Sequence, residues 1–228
     1  YFAVTNSCFM MNLFHNVDFI FDNDYAFLDR FDPSTEGYFS GQGEVTGRFF
    51  MTTNFVPDTH TIGLADYSER GKGSTNMKFN LAKQTMCAHI SEFPVGTYKK
   101  GHKHGPGAHV IILSGQGYSI LWPDGQPMQR VDWKPGSVVV PPDQWFHQHL
   151  NSGAKPARYL ALRWGSWKFR FMRMQDGEGG TYTSVKQGGG QIEFEDEDPQ
   201  IHKDFEAAMK AVGARCNMGA YHPGCTMR

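Results

Sequence analysis

Five of the ten histidines fall between positions 102 and 149: His102, His104, His109, His147 and His149. Neutral imidazole is the commonest protein ligand for first-row transition metals. The chemistry these residues suggest is a bound divalent ion and whatever that ion activates. His102 and His104 are two positions apart, so on a strand they share a face. His147 and His149 stand in the same relation. The step from His104 to His109 is odd, and a regular strand would turn His109 away. Gly105, Pro106 and Gly107 interrupt that strand, and such a break can restore the inward face.

Strands must hold these side chains. Residues 110–113 are continuously apolar and read as a buried strand. Residues 138–140 lead through Pro141 and Pro142 to Trp145, Phe146 and His147. Folding the two hairpins together brings His147 opposite the first three histidines. Residues 86–93 alternate as a strand does and end at a turn at Pro94. Residues 118–122 form a further strand, closed by a Pro123-Asp124-Gly125 hairpin signal. Residues 131–134 stop at Pro135 and Gly136, and residues 157–163 close the sheet.

These residues resemble the two motifs of the cupins, small antiparallel β-barrels with a metal in the mouth. Gly96, His102 and His104 match the glycine and paired histidines of the first motif. His109 stands where that motif has glutamate, and Gly115 follows one position early. Gly136, Pro142, His147 and Asn151 match the second motif, with Gln144 in place of its glycine. The match covers about residues 80 to 165. The resemblance implies an all-β fold, a jelly-roll-like double-stranded β-helix. It also implies a metal held by His102, His104, His109 and His147. Some small manganese- or iron-binding cupins share this four-histidine set, so iron or manganese is expected. Zinc and nickel are also compatible with imidazole ligands.

Trp122 and Trp145 flank the motif strands and are expected to line a substrate pocket, whereas Phe146 should point outward. By parity His149 enters the same cavity as His147, about 6.5–7 Å further along the strand. It is expected to act catalytically, as a neutral acceptor beside a dication that takes a proton from the substrate. Four imidazoles add no charge to the ion. That suits a dioxygenase cleaving a C–C or aromatic bond, as in the gentisate- or diketone-cleaving cupins. It equally suits redox-neutral decarboxylase, lyase or isomerase chemistry with the metal as Lewis acid. A non-catalytic small-molecule-binding cupin is the third reading.

The rest of the chain bounds these choices. With 228 residues and a net charge of −1, there is no basic footprint for nucleic acid. Nothing resembles a DNA-binding helix-turn-helix. No apolar run approaches the ~20 residues of a membrane span, and no secretory leader is visible. Cys8, Cys87, Cys216 and Cys225 are scattered and read as free thiols of a reducing, cytoplasmic compartment. Cys216, His222 and Cys225 match no standard zinc spacing.

Residues 1–7 read as a strand and resemble residues 159–166 in their Tyr–apolar–Ala–apolar pattern. This weak repeat suggests that residues 1–21 are the remnant of a preceding barrel in a bicupin. Residues 22–76 then connect to a cupin domain at 77–170. Residues 171–228 form a tail with one helix at about 199–212, where Pro199 suits the first turn and Gly213 the end. The apolar residues 10–21 and the alternating residues 168–174 need a cover. A second barrel or a homo-oligomeric partner would supply it.

Overall fold

The computed structural model describes residues 1–22, 24, 39–81, 86–105, 108–164 and 182–226. Residues 168–174 and the Pro106-Gly107 break therefore lie outside the described residues. In chain order the elements are α1 (Ser7–Phe14), α2 (Val17–Phe21), β1 (Glu44–Thr46), β2 (Phe50–Thr53), β3 (Ala65–Asp66), β4 (Thr75–Leu81) and β5 (Met86–Phe93). There follow β6 (His109–Ser114), β7 (Gly117–Trp122), β8 (Gln129–Trp133), β9 (Val138–Val139), β10 (Phe146–Leu150), β11 (Ala157–Trp164) and α3 (Pro199–Ala211). One sheet runs β1-β2-β4-β5-β11-β6-β9, with β3 paired to β4, and the other runs β10-β7-β8. This is a mainly β architecture of two sheets with a C-terminal helix.

Alternation divides each sheet into two faces. On the larger sheet Phe93, Val110, Ile112, Ala157, Tyr159 and Ala161 pack into one buried cluster, together with Trp133 of β8. The opposite face carries Met77, Phe79, Ala88 and Ile90, covered by Met51, Val56, Ile62 and Leu64. All six residues of β7 are buried. The reason is that both of its faces are covered. Ser119 and Leu121 oppose His149 and His147, while Tyr118, Ile120 and Trp122 oppose Leu150, Gln148 and Phe146. The second set packs against Ile201, Phe205 and Met209 of α3. The tail is thus a second layer over the smaller sheet.

The helix forms where its punctuation places it. Asp198 accepts a hydrogen bond from Gln200 N at 2.9 Å, Pro199 opens the first turn, and Gly213 follows the end at φ +69°. The N-terminal segment departs from expectation. Residues 1–6 form no strand, and residues 7–14 are helical. A strand is held by a neighbour's hydrogen bonds, and no described strand forms a ladder with this segment. Its Met, Leu and Phe side chains suit a helix once no ladder is offered. Strands also begin earlier than residue 77, because β1 and β2 join the sheet through β4.

Gly96 shows how the first motif is tied to the tail. Its φ is +70°, and a Cβ there would lie 2.1 Å from Arg215 O. The same glycine's carbonyl accepts from Asn217 N at 2.7 Å. Gly96→Ala therefore meets both left-handed strain and a backbone clash. Its expected cost is at least 2 to 3 kcal/mol, of which about 1–2 is the conformation alone. Urea denaturation measures it, and a loss under about 0.5 kcal/mol would show that the tail does not press on this turn.

Candidate metal centre

The backbone puts His102 and His147 face to face. His102 N donates to His147 O at 3.0 Å and His147 N donates to His102 O at 2.8 Å. Their ring centroids are 4.2 Å apart. On the same pair of segments Tyr98 bridges Leu150, so four steps on one side match three on the other. That extra residue is a β-bulge at positions 100–101, and bulges re-aim side chains. It lets Lys99, whose N bonds His149 O at 3.2 Å, share the inner side with His102.

His104 completes the group. Its ring lies 5.5 Å from that of His102 and 4.9 Å from that of His147. One ring nitrogen from each of these three residues falls within 4.8 Å of the others. His102 Nδ1 lies 3.2 Å from Lys100 O, and His147 Nδ1 lies 3.1 Å from Trp145 O. A carbonyl only accepts, so each Nδ1 carries the proton and each Nε2 keeps its lone pair. His104 Nδ1 is buried without a hydrogen-bond partner. Burial holds all three rings neutral. It drives His102 and His104 well below the usual imidazole range and His147 down to about 4. The charge of Arg70 adds to this at His102 and His104, and at His147 it works with burial against the Trp145 carbonyl. Neutral rings, two of them with the tautomer fixed by a carbonyl, that bring one nitrogen each within 4.8 Å of the others are what a divalent ion requires, so these residues fit one.

Two expected residues are not brought to this group. His109 opens β6 and pairs with Leu162, whereas Val110 pairs with Ala161. Val110 and Ala161 pack in the barrel core while Leu162 packs on the other face. Parity therefore keeps His109 on the outer side, 6.5 Å from the ring of Phe2, with its Nδ1 unpartnered. Trp122 is directly opposite Phe146 and stacks on it at 5.5 Å, under the tail. It points away from His147. Trp145 is half-buried, and the contact it makes to the centre is through its carbonyl. Phe146 points outward as parity requires.

His149 does lie beside the centre, with ring centroids 5.7 Å from His147 and 5.4 Å from Tyr159. Its Nδ1 is 2.7 Å from Ser119 Oγ, which itself accepts from Trp133 Nε1 at 3.0 Å. Ser119 Oγ thus links the ring of His149 to the indole of Trp133 and fixes its orientation beside His147. Burial, with His147 next, keeps this ring neutral too.

Sequence reasoning missed two neighbours. Lys99 is fully buried, donates to Ser91 Oγ, and reaches Tyr159 Oη at 3.1 Å. Burial pulls its ammonium below the usual lysine range. Arg70 is buried and donates to Gln191 Oε1. No signal in the sequence marked either cation, because the bulge and the long return of the tail put them there. Asn151 was read as a motif residue. Its amide donates to the carbonyls of Phe93, Pro94 and Lys155, so it ties turns rather than metal. Gln144, in the motif's glycine position, adopts the glycine-like φ of +60°. A cavity of about 380 Å³ lies elsewhere, between Tyr118, Ile120 and Arg130 on one side and Ile201 and Asp204 on the other.

No family model and no curated protein matches the chain. Solved structures do. A variant of oxalate decarboxylase from Bacillus subtilis aligns at 15% identity and TM-score 0.39, over 42% of this chain and 27% of that one. A predicted oxalate decarboxylase from Thermotoga maritima aligns at 21% and 0.40, over 47% of this chain and 96% of that one. A cupin 2 conserved barrel domain protein from Rhodopseudomonas palustris aligns at 19% and 0.36, over 41% of this chain and 61% of that one. The chain thus spans about a quarter of the bacillar enzyme's length. These likenesses say nothing of chemistry.

Proposed function

We infer that this chain, a cupin in fold, is a metal-dependent enzyme acting on a small oxygen-bearing organic anion. One observation carries the reading: three neutral imidazoles, His102, His104 and His147, converge within 4.8 Å. They add no negative charge, and the buried cations Arg70 and Lys99 stand nearby. Such surroundings favour an anionic ligand such as a carboxylate, enolate or phenolate. A bound iron or manganese ion would supply Lewis acidity and, as iron, electrons for O₂ chemistry. Three rings leave positions open for a chelating substrate and for O₂, which supports a dioxygenase cleaving a C–C or aromatic bond. The chain's own residues would orient the substrate through Arg70 and Lys99. His149 would turn its Nε2 to it, with its ring held in place by Ser119 and Trp133.

A second reading rests on a specific observation. Lys99, Tyr159 and His149 are proton-bearing groups gathered beside the histidines. Redox-neutral decarboxylation or isomerisation needs such donors. Iron- and manganese-loaded protein, tested with small carboxylates and phenols, separates the two. Oxygen uptake coupled to turnover supports the dioxygenase, and anaerobic turnover supports the lyase. Reversible binding without turnover would leave a binding module, and protein that takes up no metal would sink the whole reading.

His149→Gln probes the proton donor. Glutamine keeps a hydrogen-bonding amide but cannot pass on a proton. Metal content should stay normal while turnover falls by ~10²-fold or more. Unchanged turnover, or loss of the metal, would show the assignment to be wrong. We also propose that α1 and α2 are covered in the assembled protein, by a second copy or a further barrel. Phe9, Leu13, Phe14, Phe19 and Phe21 are all exposed there. Light scattering of the intact polypeptide tests this, and a compact monomer of a single barrel would defeat it.

A further inference from the structure

The tail carries a second group of metal-binding side chains, away from the barrel histidines. His202 and Glu206 are four apart on α3 and so share a face. The chain beyond the helix folds back and brings Cys216 and Cys225 to them. One ligand atom from each of these four residues lies within 4.8 Å of all the others. His202, Cys216 and Cys225 are buried. The two sulfurs are 3.6 Å apart, far beyond the ~2.05 Å of a disulfide bond.

A hydrogen-bonded frame holds these ligands in place. Tyr98 Oη lies 2.8 Å from Glu197 Oε1 and 2.8 Å from His202 Nδ1. Burial, with Glu197 next, pushes the phenol's pKa far up, so it stays protonated. It donates to the carboxylate and accepts from His202 Nδ1–H. His202 Nε2 lies 3.3 Å from Glu206 Oε1, on the side where the two sulfurs converge. Glu206 cannot turn away freely, because Thr226 N and Oγ1 donate to its two oxygens at 2.7 and 2.6 Å.

We propose that His202 Nε2, Glu206, Cys216 Sγ and Cys225 Sγ form a structural site for zinc or another thiophilic divalent ion. Two thiolates, one imidazole and one carboxylate are a tetrahedral zinc donor set. Four protein ligands and burial leave no open position, which marks a structural site rather than a catalytic one. Binding releases the two thiol protons to solvent. Burial pushes the Cys216 thiol upward in the absence of a cation, so the ion is what makes it a thiolate. His222 is not a ligand. Its Nδ1 accepts from Gly224 N at 3.0 Å, leaving its proton on Nε2, 3.3 Å from Glu197 Oε1. Its ring stacks flat on His202, with centroids 3.9 Å apart.

The site has two structural consequences. Residues 212–226 contain no helix or strand, and the ion would hold them to α3 in place of a hydrogen-bonded ladder. The chain of contacts from His202 through Tyr98 and Glu197 ends on Gln148, whose Nε2 donates to Glu197 Oε2 at 2.6 Å. Gln148 lies between His147 and His149 on β10. The tail site therefore braces the strand that carries the barrel centre.

Cobalt substitution tests this on the full chain. The reduced protein is stripped of metal and titrated with Co(II). The expected spectrum has a sulfur-to-cobalt charge-transfer band in the near ultraviolet and intense visible bands of tetrahedral cobalt. The barrel centre has only imidazoles and cannot produce the sulfur band. The band should persist in His102→Ala/His147→Ala, vanish in Cys216→Ser/Cys225→Ser, and be displaced by zinc. Folded, reduced protein that shows no sulfur band overturns the proposal, as does a band that survives the double serine variant. If that variant does not fold, the spectrum of the unmutated chain decides alone.

Discussion

His147→Ala is expected to abolish stoichiometric binding of the barrel metal while the barrel stays folded. His147 supplies one of three converging rings and lies opposite His102 in a doubly hydrogen-bonded pair. The backbone pairing survives the substitution, so the scaffold remains. The ring is neutral, so its removal uncovers no buried charge. Altering even the groups that orient a ligand typically costs 10–100-fold in metal affinity, and losing the ligand itself should exceed about 100-fold. His102→Ala should behave alike. His109→Ala should keep the metal, because register holds His109 on the face of Leu162. Elemental analysis with circular dichroism reads all three, as the loss or retention of one equivalent of metal relative to the unmutated chain. Full occupancy in both His102→Ala and His147→Ala would eliminate the site. Loss in His109→Ala would mean that β6 is turned the other way in the loaded protein.

Phe205→Ala should be the most destabilising single truncation in the tail, at about 3–5 kcal/mol. Phe205 is 0% exposed and meets the ring of Tyr98 edge-on at 4.9 Å. It shares its cluster with Tyr118, Phe146 and Leu150 of the smaller sheet. Alanine leaves a cavity between helix and sheet that neither layer can close alone. Guanidinium denaturation followed through both tryptophan fluorescence and far-ultraviolet dichroism should show one earlier, still coincident transition. A loss under about 1 kcal/mol, or a tail that melts separately while the barrel is unmoved, would mean that α3 is an appendage. The metal of the barrel should also bind less tightly, since Gln148 and the tail fix the strand carrying His147.

The strands of the barrel were legible because alternation is a local property. Residues two apart share a face whatever the rest of the chain does, so His102 with His104, and His147 with His149, could be paired from the sequence. The helix at 199–211 was legible for the same reason, through Pro199, Gly213 and an apolar stripe. Which face points inward is not local. It depends on register against a neighbour, and so His109, expected inward because of the break at 105–107, and Trp122, placed by proximity to the motif strands, fell on the outer side. The bulge that turns Lys99 toward the centre adds one residue between two correct pairings, and no periodicity announces it. The group at positions 202, 206, 216 and 225 follows no spacing rule, because a helix and an irregular segment assemble it only by packing on β7 and β10. The sequence by itself determined which histidines could meet and what chemistry they would support. The tertiary structure alone decided which of them do meet, since contact between distant residues is set by burial on both faces of a sheet.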